Sequence, residues 1–485
     1  NLRFNARQIE YTFAGTGSDS LYTLDQDSTF NLDGVIVDTD PRFTPDQAPV
    51  MVAAGDCNAY TALNDPYSLE FANFERIFAG NRDDHFTLVE EQQRYMLRGG
   101  PGDDSFTFDD GAALGGALIN GQIPMIDGQG GRDSLDYAPY TTSVSVDLSR
   151  GLAQGVNGGL PAGVLGSVVN LENIIGGHHH DNLIGDVGDN AITGGPGDDT
   201  LSGLAGNDRY IFADNAGVDL VIENGGVDTL DFSLVTAAHD LYFALNDANL
   251  IVTEGANQVT HTGWQIENLI GGAGDDIFDF ADGVRLIGYL DGRGGHDSLD
   301  YADYSSARRV TLTRLGAIDG FDGSENSIGT GFRNVDAITA SATPDDTLIG
   351  LNAAADWWLD GSDQYDSTNT LDFSAFEILV GGDGADTFHI EGARSYHALR
   401  GGSGEDVFDF ASGASLTLTT VGGLVGYVDG QGGSDTLDYA DFQASEAVLV
   451  DLPPGVVTAI SNDNLGNVGA ILNIENAIGG AADDS

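Results

Sequence analysis

Apolar residues in this chain come in short alternating bursts, and no long stretch keeps a helical period. "VSVDL", "RVTLTRL", "LYFAL" and "NLIVTE" alternate or are rich in β-branched and aromatic residues. That is the pattern of short strands with one buried face. Clusters of Gly and Asp separate the bursts. The most regular run is "GGHHHDNLIGDVGDNAITGGPGDDTLSGLAGNDRYIF", from Gly176 to Phe212. A Gly recurs every nine residues, at Gly176, Gly185, Gly194 and Gly203. Five positions after each stands Asp181, Asn190, Asp199 or Asp208, and two positions further an apolar residue, Leu183, Ile192, Leu201 or Tyr210.

Each nonapeptide predicts one tight turn and one very short strand. Gly permits the backbone angles that such a turn needs. "TLS" alternates polar and apolar, which points Leu201 inward. Two units, eighteen residues, make one coil of a flattened solenoid. A single coil cannot bury its apolar residue, whereas stacked coils can. Stacking sets Asp181 beside Asp199 on one edge and Asn190 beside Asp208 on the other. Rows of carboxylates repel each other unless a cation lies between them. Calcium prefers carboxylate and carbonyl oxygens, and Gly-rich turns present both.

These copies resemble the GGxGxDxUx nonapeptide of the RTX (repeats-in-toxin, haemolysin-type) calcium-binding repeats, with U a large apolar residue. The resemblance is strict over about residues 170–232. It implies an all-β fold, a right-handed parallel β-solenoid (β-roll or β-helix) with Ca²⁺ held between Gly/Asp-rich turns of adjacent coils. It also implies that Asp181, Asp199 and Asp208 are ligands, with Asn190 the weaker one. His179 replaces the fourth-position Gly of the first copy, and Leu204 the second-position Gly of the fourth. The phase then shifts by two residues, after which Asp219 and Asp228 fall nine apart again.

Looser copies of the same loop extend the expected metal ligands to Asp19, Asp84, Asp104, Asp133, Asp276, Asp297, Asp386, Asp406, Asp435 and Asp484. A longer module of roughly seventy to eighty residues contains many of them and recurs three times, each copy carrying "LDYA". The intervals from Asp84 to Asp104 to Asp133 are 20 and 29 residues, and they return 302 residues later at Asp386, Asp406 and Asp435. An interval of 20 fits one slightly enlarged coil, and 29 fits a coil with an inserted loop. The expected organisation is N-terminal coils over 1–96, a first long module over 97–175, tandem nonapeptides over 176–235, a second module over 236–345 and a third over 346–485. Glu75, Glu172, Glu267, Glu377 and Glu475 each precede a loop Asp by nine residues. They read either as further ligands or as hydrogen-bonded turn residues.

Charge narrows the function. The 485 residues carry 76 acidic and 18 basic side chains, a net charge of −58, and all the basic ones are Arg. The acids are 61 Asp against 15 Glu, a bias that favours turns and metal sites over a merely solvated surface. No basic face exists for nucleic acid, and an anionic membrane surface is disfavoured. Cys57 is the only cysteine, so no internal disulfide forms. No secretory signal peptide, bilayer-length apolar run or targeting motif is read. The chain runs from "NLRFNAR" to "GGAADDS", and a piece of a longer polypeptide is expected.

Catalytic signatures are missing: no HExxH, no GxSxG, no Walker-type loop, and no His near Cys57. The many carboxylates pair too freely on paper to single out a glycosidase dyad. His178, His179 and His180 diverge along the chain and read as a solvent-facing turn. Tyr137, Tyr301 and Tyr439 recur with the module and read as packing residues. Trp357 and Trp358 read as core, with a sugar-stacking face as the other option. A non-enzymatic, calcium-stabilised, secreted or cell-surface structural segment of a large adhesin, surface-layer or matrix fibre is therefore expected. The alternative is a calcium-dependent secretion and folding module of an enzyme or toxin. Expected partners are calcium ions, other copies through lateral self-association or a filament, and a carbohydrate or cell-surface ligand.

Overall fold

A computed structural model describes residues 76–89, 96–114, 125–156, 167–263, 265–452, 457–462 and 471–484 with their side chains. It describes strands Leu2–Arg3, Tyr11–Phe13, Ser20–Tyr22, Ser28–Leu32, Cys57–Ala62, Ser68–Ala72 and Glu91–Gln92 by backbone alone. Asp19 and Glu75 lie outside the described residues. The fold is all-β, and the one helical segment among the described residues is the 3-10 turn Leu148–Arg150. The chain divides into two compact units, Asn1–Asp231 with Ala256–Gln265 and Phe232–Gly255 with Ile266–Ser485.

In the first unit successive nonapeptides alternate between two parallel sheets. Asn173–Ile175, Ala191–Thr193 and Arg209–Ala213 are neighbours in one sheet. Asn182–Ile184, Thr200–Leu204 and Val218–Glu223 are neighbours in the other. Strands one repeat apart thus face each other, and strands two repeats apart pair in parallel. The register lines up the apolar residue of every copy. One row runs Phe86, Phe106, Leu135, Ile174, Ile192, Tyr210, and the facing row runs Val146, Leu183, Leu201, Val221. All of these side chains are buried. Full burial of one such side chain contributes about 1.5–3 kcal/mol.

The second unit repeats the scheme with larger side chains. Phe243, Phe278, Leu299, Ile338 and Phe373 form one buried row. Val310, Leu348, Leu379, Leu399 and Val428 form another. Rings stack along the rows, as at Phe388 and Phe408, whose centroids are 5.1 Å apart and 12° from parallel. The "LDYA" tyrosines Tyr137, Tyr301 and Tyr439 are fully buried, each edge-on to a second ring three residues on, Tyr140, Tyr304 or Phe442. They are packing residues, as their recurrence suggests.

Long parallel ladders of this kind are compatible with a β-solenoid. Local antiparallel pieces interrupt them. Asp356–Leu359, Gln364–Asp366 and Thr370–Ser374 form an antiparallel meander. Its outer strands pair in parallel with Thr387–Ile390 and Ala337–Thr339. Arg309–Leu315, Phe321–Glu325 and Ile328–Val335 form a second meander. The extra residues between loop Asp positions thus include added strands, and not only loops.

The stacked rows set an expected outcome. Phe106 is fully buried against Phe86, at 4.8 Å and 9° between rings. Phe106→Ala should lower stability by about 3–5 kcal/mol in urea unfolding followed by circular dichroism. Val187→Ala, at a residue 81% exposed, should stay within about 0.5 kcal/mol.

Candidate metal centre

The turn Gly194–Gly195–Pro196–Gly197–Asp198–Asp199 shows why the repeat needs its residues. A Cβ on Gly194 would lie 2.3 Å from Asp199 Oδ2, so the first glycine makes room for the carboxylate. Gly195 turns the chain with φ +92°, and a Cβ there would also meet the Gly177 carbonyl oxygen at 2.3 Å. The contact of first glycine and carboxylate recurs at Gly99 with Asp104, Gly128 with Asp133, Gly401 with Asp406 and Gly430 with Asp435. Leu204 keeps the turn without glycine by taking φ +80° itself. Such a conformation costs an L-residue roughly 1–2 kcal/mol.

The turned-in carboxylates form ladders. In the bonds below a carboxylate accepts, on one oxygen, the backbone N–H of the corresponding residue one coil earlier. Asp84 N–H donates to Asp104 at 2.8 Å, Asp104 to Asp133 at 2.7 Å, and Asp133 to Glu172 at 2.8 Å. Asp181 N–H donates to Asp199 at 2.8 Å and Asp199 to Asp219 at 2.9 Å. Asn190 N–H donates to Asp208 at 2.7 Å and Asp208 to Asp228 at 2.8 Å. In the second unit the series runs Asp276, Asp297, Asp336 and, separately, Asp386, Asp406, Asp435, Glu475.

A second ladder stands one residue earlier in each turn and faces solvent. It runs the other way, the earlier copy accepting from the later. Asp103 N–H donates to Asp83 at 2.8 Å and Arg132 N–H to Asp103 at 2.7 Å. Val218 N–H donates to Asp198 at 3.0 Å, and Asp275 N–H to Asp240 at 3.0 Å.

The inner carboxylates are poorly compensated. Asp104, Asp133, Asp199, Asp208, Asp219, Asp297, Asp386, Asp406 and Asp435 are at most 2% exposed, and the Oδ2 of each accepts no hydrogen bond. Burial pushes the Asp104, Asp219, Asp297 and Asp386 carboxyls up to about 8, and neighbouring carboxylates add to the shift. Asp133 and Asp199 rise to about 7 for the same reasons, against the lowering by their backbone hydrogen bonds. At one point three carboxylates converge. Asp208, Glu223 and Asp228 are all buried and offer oxygens within 4.8 Å of one another. Burial, then the Glu223 carboxylate, raises Asp208 to about 6. The Tyr210 hydroxyl donates to Glu223 Oε1, which also accepts the Gly203 N–H at 3.2 Å. A buried, all-oxygen cluster of this kind could bind a metal ion.

The expected site residues therefore sit in one kind of environment. Asp84, Asp104, Asp133, Asp181, Asn190, Asp199, Asp208, Asp219, Asp228, Asp276, Asp297, Asp386, Asp406 and Asp435 are all buried on inner turns. Asp484 is exposed, though its Oδ1 accepts the Val448 N–H at 3.0 Å. Glu172, Glu377 and Glu475 accept backbone N–H groups of Asp133, Asp346 and Asp435, the hydrogen-bonded turn role. Asp346 and Glu223 were not foreseen. Asp346 is buried and accepts the Arg308 N–H, from a turn with no Gly at its start. Glu223 occupies the repeat's first position, five before Asp228, where the four tandem copies have Gly176, Gly185, Gly194 and Gly203. His178, His179 and His180 are exposed, and His180 Nδ1 accepts the Asp198 N–H at 2.9 Å. Trp357 is buried, while Trp358 is 36% exposed and stacks on His389 at 4.0 Å.

A scan against protein-family models finds no match, and no curated protein matches the chain.

Two outcomes follow from the turn geometry. Gly128→Ala would place a Cβ 2.3 Å from Asp133 Oδ2 and 2.1 Å from the Asn170 carbonyl oxygen. Gly130→Ala, in the same turn, meets nothing within 4 Å. Thermal unfolding should show the first destabilised by about 1–3 kcal/mol and the second nearly unchanged. The pH dependence has a definite sign. Carboxyls raised to about 7–8 in the fold bind protons that the unfolded chain, with an Asp value near ~4, has released. The contribution of these groups to stability without divalent cations should thus be full below about pH 4 and fall as pH rises to about 8. Melting in EGTA at pH 5 and pH 8 measures it, and a higher melting point at pH 8 would contradict the burial of these groups.

Proposed function

We propose that this chain is a calcium-stabilised structural repeat segment of a larger secreted or cell-surface protein, an adhesin, surface-layer or matrix fibre. The observation that carries the reading is the row of buried Asp Oδ2 atoms that accept no hydrogen bond. An oxygen-loving cation supplies what those atoms lack, and calcium takes six to eight oxygens in flexible geometry. The donor set fits. Asp208, Glu223 and Asp228 would hold one such ion, and further inner-turn carboxylates whose Oδ2 accepts no hydrogen bond would hold ions between successive coils. The resemblance to RTX repeats supports calcium over other cations, a right-handed coil and an extracellular setting. At −58, the chain resists compaction until its carboxylates are neutralised. Extracellular calcium modules commonly work at about 10⁻⁴–10⁻³ M. Folding would then follow arrival in a calcium-rich medium. Repetition of one module supports a scaffold role, since each copy adds the same packing rather than a new constellation of side chains.

The test is circular dichroism and melting of the chain at pH 7.5 in EGTA, in millimolar CaCl₂ and in millimolar MgCl₂. Calcium should restore or strengthen the β signal and raise the melting point. Magnesium, which demands tight octahedral geometry and sheds water reluctantly, should do much less. An unchanged spectrum and melting point in EGTA would remove the cation from the reading.

A further inference from the structure

Apart from Asp228, whose second residue Asn224 has no positive φ and donates its N–H to Glu223, the inner carboxylates of the repeat turns are of two kinds, and the backbone of the preceding residues sorts them. The deciding residue is the second of each turn, four before the Asp. At Asp84, Asp181 and Asp276 that residue is Gly80, Gly177 or Gly272, and none of the three has positive φ. Its N–H donates to the Asp Oδ2, at 3.0, 2.6 and 2.7 Å respectively. Asn190 follows the same rule, its Oδ1 accepting the Asp186 N–H at 2.8 Å. These turns close on themselves.

The other turns are open. Before Asp104, Asp133, Asp199, Asp208, Asp219, Asp297, Asp386, Asp406 and Asp435 the second residue is Gly100, Gln129, Gly195, Leu204, Asn215, Arg293, Gly382, Gly402 or Gln431. All nine have positive φ, between 62° and 137°. Every one of the nine Asp residues has a buried Oδ2 with no hydrogen bond. Positive φ at the second residue accompanies an N–H that no longer reaches the carboxylate. For Leu204, Gln129, Arg293 and Gln431 this conformation costs energy that glycine would not incur. The chain keeps it with side chains that disfavour it.

We propose that divalent cations load only the open turns, and that the second residue's backbone conformation selects which carboxylates become ligands. The inference rests on the cation reading above. In a closed turn an N–H donor already fills the position a cation would take. In an open turn the Oδ2 is left for one. The repeat's only amide at this position, Asn190, lies in a closed turn, where its neutral side chain is fully used: Oδ1 accepts from Asp186 and Nδ2 donates to the Glu172 carbonyl oxygen at 3.2 Å. Asp84, Asp181 and Asp276 would therefore seal their own turns, and the Asp residues of the open turns would carry the ions.

The experiment counts calcium in the full chain. Asp104→Asn and Asp199→Asn alter open turns, Asp84→Asn and Asp181→Asn closed ones. Asn keeps one acceptor oxygen, and Asn190 demonstrates that a closed turn accommodates it. Calcium alone is the probe, by isothermal titration and by elemental analysis of gel-filtered protein, with circular dichroism to check that each variant folds in calcium. Each open-turn variant should lose at least one bound ion per chain and part of the calcium-induced rise in melting point. The closed-turn variants and Asn190→Asp should keep the wild-type count. Equal losses in open and closed variants, or an ion gained by Asn190→Asp, would overturn the selection rule while leaving calcium binding intact. A wild-type chain that binds no calcium would instead sink the cation reading itself. An open-turn variant that fails to fold leaves its partner, Asp104→Asn or Asp199→Asn, to decide the count.

Discussion

The hydrogen bond from the backbone N–H of one coil's Asp to the carboxylate of the next coil is the contact on which the rest depends. Strands of three residues, such as Asn182–Ile184 and Ala191–Thr193, contribute few ladder bonds of their own. A slip of one residue would turn Leu183 or Ile192 from the core to solvent. The carboxylate bridge at the turn fixes the register where the strands are too short to do so. Hydrogen bonds to a charged acceptor are worth about 1.5–3 kcal/mol each, more than a neutral pair. The solvent-facing ladder, running in the opposite sense, ties the same copies from the other side. Each turn is then held both by what it donates and by what it accepts.

That arrangement carries a cost that shapes the chemistry. Each bridge buries a carboxylate on the inner side of a turn, and a buried charge without full compensation is unfavourable. The carboxyls near 7–8 at Asp133, Asp199, Asp219 and Asp297 are the direct consequence. Protons or cations can neutralise them. At neutral pH protons are only partly available, so a cation is the more effective partner. The fold's register device and its expected metal dependence thus have one origin, the inward-turned Asp.

Much of this was legible in the nine-residue spacing. Gly194, Asp199 and Leu201 announce turn, carboxylate and core residue, and the structure gives each that place. The pairing of Asp84 with Asp104, and of Asp104 with Asp133, follows from the intervals of 20 and 29. Other features left no trace in the pattern. Leu204 takes a positive φ where the repeat has glycine, and no propensity scale foretells that. Glu223 reaches the carboxylate cluster from a position that is Gly176, Gly185, Gly194 or Gly203 in the tandem copies. The meander around Trp357 reads as alternating strands, but periodicity cannot say whether neighbours run parallel or antiparallel. Burial alone separates Trp357 from Trp358, and in sequence the two are adjacent and alike.

The same device accounts for the unequal spacing that breaks the simple repeat. A carboxylate bridge asks only that two turns be adjacent, and it is indifferent to the chain that runs between them. Intervals of 18, 20, 21 and 29 residues all end in the same N–H to Oδ1 contact. At intervals of 39 and 40 the acceptor is Glu172 or Glu475 in two ladders, and Asp336, 39 residues after Asp297, in a third. Residues can therefore be added between turns, as loops or as antiparallel strands, without disturbing the stack. Entropy permits this, since each doubling of a flexible connection costs only about 0.6 kcal/mol. Under such a rule the turns are the constrained part of each copy and the connections the free part. Asp133 and Asp435 keep the same neighbours in their ladders while the segments that follow them differ in length and sequence.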